Sequence, residues 1–289
     1  MRSAADHCVP EVGADAPLVG LIDKWIYVFM ATLFVATTLV GFIPDSLAKI
    51  TAVATAQRAP FPPVLHVHAV LMGLWLLLLL AQTTLMATGH AAYHKQLGLA
   101  SLVLAPAILL TGLILVPTMY GQLRDALAAA SPGLAQNLKA EMAVRTNIML
   151  MQVRAGILFA AFVVLALRAR HSNPGFHKRM IVIATLMPLP AAFDRIEWLP
   201  STFPVSPVSP DLYTLLWILP MFTWDLVRLG RVHSAYVVAL AAWLPATIVV
   251  QGLWAQPGGK PSGPPCSVLH RGAENFAMGG HVASFFPAR

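Results

Sequence analysis

The side chains able to do chemistry in this chain sit at two levels along otherwise hydrocarbon-like segments. In FPPVLHVHAVLMGLWLLLLLAQ, residues 61–82, a proline cluster runs straight into apolar sequence and places His66 and His68 just inside it. MLMQVRAGILFAAFVV carries Arg154, and LMPLPAAFDRIEW carries Asp194, Arg195 and Glu197. An ionisable group at mid-depth in a bilayer costs at least ~2.5 to 3.5 kcal/mol on insertion scales, so such groups face a bundle interior and serve a pathway, a site or each other. Residues 66 and 68 of a helix point about 200° apart. An HxH pair is therefore a poor chelate for one metal, unlike HxxxH, whose rings share a side. Asn147, Met151 and Arg154 share one side of their helix, and Asp194 and Glu197 are neighbours at i, i+3. The expectation is a polar layer in which Arg154 pairs with Asp194 or Glu197. That layer either locks two helices together or uses His66 or His68 as a ligand or proton acceptor.

The second level is marked by recurrence. HKQLG, HKRM and RVHSAY each open an apolar segment with a histidine, His94, His177 and His233, after a short basic turn. The partial positive charge of a helix N-terminus disfavours imidazolium and leaves a neutral ring able to coordinate metal. The adjacent Lys95, Lys178, Arg179, Arg228 and Arg231 either hold an anionic group, such as a phosphate headgroup or a cofactor propionate, or only signal topology.

The elements that position these groups follow from composition. Of 289 residues, 57% are hydrophobic and 11% charged, where a soluble domain has about a quarter charged. The mean hydropathy is +0.70. Apolar runs are continuous rather than alternating, which selects helices over a barrel, since about 20 apolar residues cross the hydrocarbon core as a helix. Seven spans are read at 25–43, 64–88, 97–116, 148–167, 180–198, 212–227 and 235–254. The fold expected is an all-α integral membrane bundle, one helix followed by three helical hairpins. A polar tail at 1–24 precedes it and a Gly-, Pro- and Ser-rich tail at 255–289, expected to be disordered, follows. Cys8 and Cys266 both fall in these tails, so no disulfide framework or CxxC metal site is available. Basic residues crowd the short connections after the second, fourth and sixth spans. This places the N-terminus in the cytoplasm and the C-terminus outside, and the net charge of +7 reads as orientation rather than a nucleic-acid footprint.

The segments HVHAVLMGLWLLLLLAQ, HKQLG, HKRMIVIATLMPLPAAFDR and DLVRLGRVHSAY resemble an uncharacterised family of bacterial polytopic membrane proteins, which implies a helical bundle in a bacterial inner membrane. More distantly, histidines near the ends of apolar helices, with His68, Leu71, Met72 and Gly73 in one such context, are similar to the ascorbate-reducible transmembrane b-type cytochromes. That resemblance implies a haem b near the cytoplasmic face. Two of His94, His177 and His233, His94 and His177 first, would be its iron ligands, Lys95 and Arg179 would lie beside its propionates, and the outer layer would serve a quinone or another redox partner. His66 and His68 come from one helix, so a second haem lacks a partner ligand. The alternatives are a transporter or proton relay using the outer His, Arg, Asp and Glu groups, and a non-catalytic assembly partner of a membrane complex. GxSxG, HExxH and Walker motifs are all missing, which leaves a hydrolase without support.

Overall fold

The computed structural model describes residues 16–56 and 60–254; the expectations about 1–15 and 255–289 lie outside them. Among the described residues there is no strand, and nine helices follow in chain order. They are α1 (Ala16–Ala54), α2 (Pro63–Ala87), α3 (Ala91–Gly98), α4 (Ser101–Ala128), α5 (Pro132–Ala169), α6 (Pro174–Leu186), α7 (Pro190–Phe193), α8 (Val208–Leu229) and α9 (Ser234–Gly252). Six continuous stretches, formed by α1, α2, α3 with α4, α5, α8 and α9, are long and apolar enough to cross a membrane. The protein is a multi-pass helical bundle of the class its composition predicts. Residues 16–24, expected to belong to the polar tail, are already helical and continuous with the first span.

The span expected at 180–198 is not one helix. It is the 13-residue α6, a bend, and the single turn of α7. At 1.5 Å per residue α6 is only about 20 Å long, short of the roughly 30 Å core. The cause is LMPLP: proline has no N–H to donate, and its ring collides with the preceding turn. Through the bend the backbone tightens to i→i−3 bonds, Met187 N–H to Ala184 and Leu189 N–H to Leu186. A broken helix is tolerated at membrane depth only where protein surrounds it. That condition is met: every residue from Arg179 to Leu186 except Ile181 is buried, as are Pro190, Ala192 and Phe193.

The other helices wrap this segment. α1 packs on α2, α2 on α4, α4 on α5 and α5 on α9, while α8 returns to α1; α6 lies against α1, α5, α8 and α9. Polar pins fix the registers: Trp75 Nε1 donates to Thr185 Oγ1 at 3.0 Å, and Trp217 Nε1 to Thr37 Oγ1 at 2.8 Å. Trp75 also meets Phe159 edge-on, with ring centroids 5.0 Å apart. Outward faces are apolar, with Val103, Leu113 and Val227 all at least 70% exposed, as suits contact with acyl chains. At Gly41, α1 passes so near α7 that an added Cβ would collide with the carbonyl of Ala192.

Two of the three expected hairpins, α2 with α4 and α5 with α6, pack closely along their length. The third, α8 with α9, is joined by a tight turn in which Gly230 takes φ 62° and donates to Leu226, ending α8 in the left-handed conformation glycine favours. The helices stay in contact as far as Phe222 and Tyr236, whose rings meet edge-on, and further along an apolar cleft of about 710 Å³ lies between them.

Candidate functional site

The cleft is lined by Val208, Asp211, Leu212, Leu215, Trp243, Thr247, Ile248, Gln251 and Gly252. Its polar lining is Asp211, Thr247 and Gln251, and the first two are held by Arg154, which does not itself line the cleft. Arg154 on α5 donates to Asp211 through Nη1 at 3.0 Å and through Nη2 at 2.5 Å, and a further Nη1 proton goes to Thr247 Oγ1 at 2.9 Å. Both charged side chains are 6% exposed. Bidentate geometry is the strong form of a guanidinium–carboxylate bond. Asp211 lies in the first turn of α8, where the helix dipole favours a negative charge. Three of the five N–H donors of Arg154 are used within this cluster. At the same end, Trp254 Nε1 donates to the carbonyl of Pro204 at 3.0 Å and Trp254 stacks edge-on near Phe203. These contacts bridge the loop before α8 to the end of α9.

This overturns the expected partnership of Arg154 with Asp194 or Glu197. Both acids are exposed and neither forms an ion pair among the described residues. The bend at Pro188 and Pro190 turns the chain out of α6, so DRIEW does not continue the helical face that would have met Arg154. Arg195 instead pairs with Asp45 of α1 at 3.1 Å and covers the Phe42 ring at 4.5 Å. His68 turns toward α4, its Nδ1 2.9 Å from Thr111 Oγ1. Thr111 already donates to the Ala107 carbonyl at 2.8 Å, so His68 Nδ1–H is the donor and its Nε2 keeps a lone pair. His66 is exposed. The HxH pair divides as its spacing requires, one ring in and one out, and the single polar layer expected of His66, His68, Arg154, Asp194, Arg195 and Glu197 is three separate clusters.

At the opposite, basic end a smaller pocket of about 310 Å³ lies between α1, α6 and α8. Its wall holds a second buried ion pair: Arg179 of α6 binds Asp225 of α8 in bidentate fashion, Nε to Oδ2 at 2.7 Å and Nη2 to Oδ1, and donates through Nη1 to the Gly175 carbonyl at 2.8 Å. Tyr236 of α9 donates its hydroxyl to Asp225 at 2.5 Å. Asp23 of α1 accepts from Arg228 and, at 2.8 Å, from Trp224 Nε1. Arg179 is thereby committed to Asp225.

The three basic-end histidines are not equivalent. His177 Nδ1 lies 2.9 Å from the Ala166 carbonyl, which fixes Nδ1–H and leaves Nε2 free as a donor atom. His94 is close enough for its charge to act on His177, and its Nδ1 is buried without a partner. His233 stands apart, beside Gly175 and Phe176, and caps α9 by accepting the Ala235 N–H on Nδ1 at 3.1 Å. Burial, and then the nearby Arg179 guanidinium, push its pKa below the ordinary imidazole value. Lys95 is exposed. Neither cavity is lined by His94 or His177, and among the described residues no three His, Cys, Asp or Glu side chains converge as metal ligands.

Asp211, Thr247, Asp225, Tyr236 and Tyr27 are site residues that the sequence reading passed over. Asp225 carried a usable signal, an acid inside the apolar run 212–227. Asp211 fell one residue outside that run and read as loop. Set beside protein-family models, curated proteins and solved structures, the chain finds no match in any of the three.

Proposed function

We propose that this membrane protein binds a neutral, quinone-like amphiphile, taken laterally from the bilayer into the α8–α9 cleft. The observation that carries this reading is the composition of the cleft: an apolar channel of about 710 Å³ whose polar lining is the Asp211 carboxylate, already neutralised by Arg154 from outside the lining, with the Thr247 hydroxyl and the Gln251 amide. Ligand sites of about 300 to 1,000 Å³, mostly apolar with a few placed polar groups, are the usual size and character for such molecules. The paired wall carries no net charge, so it favours a head with carbonyl or hydroxyl groups over a phosphate or carboxylate. The Gln251 amide offers such a head a donor and an acceptor, and the Thr247 hydroxyl, which accepts from Arg154, has its own proton to donate. The apolar body lies along Leu215, Trp243 and Ile248. The basic end faces the cytoplasm of an inner membrane in this reading, because the short basic connections lie there.

The test uses Trp243, a wall of the cleft, as reporter. Decylubiquinone titrated into the detergent-purified protein quenches tryptophan emission saturably, and Trp243→Phe removes most of the quenchable signal. Leu215→Phe with Ile248→Phe fills the channel and abolishes saturation, while decanoate, with its charged head, does not compete. Equal saturable quenching in the filled variant sinks the proposal.

A second reading, electron transfer through a haem b held by His94 and His177, is favoured by the fixed Nδ1–H of His177 and the unpartnered Nδ1 of its neighbour. The haem would supply one-electron chemistry at the basic end. Absorption spectra of oxidised and dithionite-reduced protein decide it. A Soret band lost in His94→Ala and in His177→Ala supports the pair, and a colourless protein expressed with ample haem removes it.

A further inference from the structure

The pocket at the basic end plays no part in the reading above, and its charges do not cancel. Asp225 is answered by Arg179 and by the Tyr236 hydroxyl. Asp23 is answered by Arg228 and the Trp224 indole. Lys178 remains. It forms no ion pair among the described residues, and its ammonium lies 4.7 Å from the centroid of the Tyr27 ring. Tyr27 is itself a wall of the pocket, and its hydroxyl is buried with no hydrogen-bond partner. The pocket therefore holds three cationic and two anionic side chains, one unused ammonium, and one buried hydroxyl with an unmade bond. A buried polar group left unsatisfied costs its desolvation, so an occupant that supplies an acceptor is favoured.

We infer that the α1–α6–α8 pocket binds a phosphate-type anion, with Lys178 contributing the charge and the Tyr27 hydroxyl a hydrogen bond. A single excess positive charge selects an anion over a cation, although aromatic rings line the space. A cavity of about 310 Å³ has room for a phosphate ester, and a phosphodiester or phosphomonoester presents several oxygens to both donors at once. The same chemistry is offered by an anionic lipid headgroup at the membrane face and by free phosphate.

The two sources are separated by two measurements on the full chain. In the first, protein is equilibrated in mixed micelles containing equal phosphatidylglycerol and phosphatidylcholine, and retained lipid is counted by native mass spectrometry. In the second, inorganic phosphate is titrated at constant ionic strength and the thermal midpoint is followed. A headgroup site retains phosphatidylglycerol selectively; Lys178→Met lowers that retention about tenfold, the scale of one lost charge-assisted hydrogen bond. Tyr27→Phe keeps the ring under the ammonium and lowers retention by a smaller factor. Lys178→Arg restores retention, and Lys24→Met, whose ammonium lies over Trp25 outside the pocket, leaves it unchanged. Stabilisation by phosphate that Lys178→Met removes, without lipid selectivity, assigns the site to the free anion. If Tyr27→Phe and Lys178→Met match the parent protein in both measurements, or Lys24→Met lowers retention as much as they do, the inference is wrong.

Discussion

Removing one partner of the Arg154–Asp211 pair tests the outer site most directly. The two charges sit about 4 Å apart centre to centre, and at an effective dielectric of about 20 that geometry is worth about 4 kcal/mol. The same figure follows from loss of one partner: an unpaired buried charge costs about 3 to 5 kcal/mol in proteins and at least about 2.5 to 3.5 kcal/mol at mid-membrane. Arg154→Met and Asp211→Asn should each lower stability by about 3 to 4 kcal/mol, the second despite its unchanged shape, because it strands the guanidinium among groups that are 6% exposed. Arg154→Met with Asp211→Leu removes both charges together. It should recover most of that loss, since replacing a buried pair by apolar groups of similar volume is near neutral or better. The assay is equilibrium unfolding in mixed micelles with sodium dodecyl sulfate, read by tryptophan emission, and the four proteins form a double-mutant cycle. Decylubiquinone quenching separates fold from function: the double variant regains stability but not saturable quenching, because the Asp211 carboxylate is lost from the cleft and Thr247 is no longer held by Arg154. Single variants within about 0.5 kcal/mol of the parent, or a double variant showing the sum of the single losses, would refute a dry, coupled pair.

Gly41→Ala drives a methyl group into the Ala192 carbonyl and should cost about 1 to 3 kcal/mol in the same unfolding assay, whereas Gly73→Ala, with no atom within 4 Å of the added carbon, should not lower stability. His233 accepts the Ala235 N–H only while Nδ1 is unprotonated, and its folded pKa lies below the unfolded value. Its contribution is therefore complete above the unfolded pKa of about 6.5 and is lost as pH falls through the lower folded pKa. Thermal midpoints measured from pH 8 to pH 5 should fall more in the parent than in His233→Asn, which caps the helix without titrating; parallel curves would count against the capping role.

The spans were legible because a backbone in hydrocarbon must satisfy itself, so 20-residue apolar runs have few alternatives. Even the broken helix was announced by Pro188 and Pro190, although its consequence, a short segment enclosed by the others, depends on neighbours the sequence does not place. Partner choice was not legible. A span that is apolar all round gives no stripe to show which face turns inward, so His66 and His68 were equal until α4 offered Thr111 to one of them. Arg154 was recognised as buried and paired, yet assigned to the wrong acids. That error came from carrying one helical face through a proline bend and from ending a span one residue short of Asp211.

The two buried ion pairs share a construction that bears on why the cleft exists. Asp211 and Asp225 lie about four turns, roughly 21 Å, apart on one face of α8. Thr247 and Tyr236 lie about three turns apart on one face of α9. At one end the guanidinium of Arg154 bonds Asp211 and Thr247 together, so α8 and α9 are joined through a side chain from α5. At the other, Asp225 accepts both Arg179 from α6 and Tyr236 from α9. At the basic end α8 and α9 touch directly, through the Tyr236–Asp225 bond and the Phe222–Tyr236 ring contact, whereas at the cleft end they are joined through Arg154 of α5, whose bonds need a defined spacing. Two apolar helices in lipid gain little from touching, because acyl chains pack against them about as well. The gap between α8 and α9 is therefore a consequence of where the hydrogen bonds are anchored, and a ligand entering it replaces lipid without displacing a packed interface.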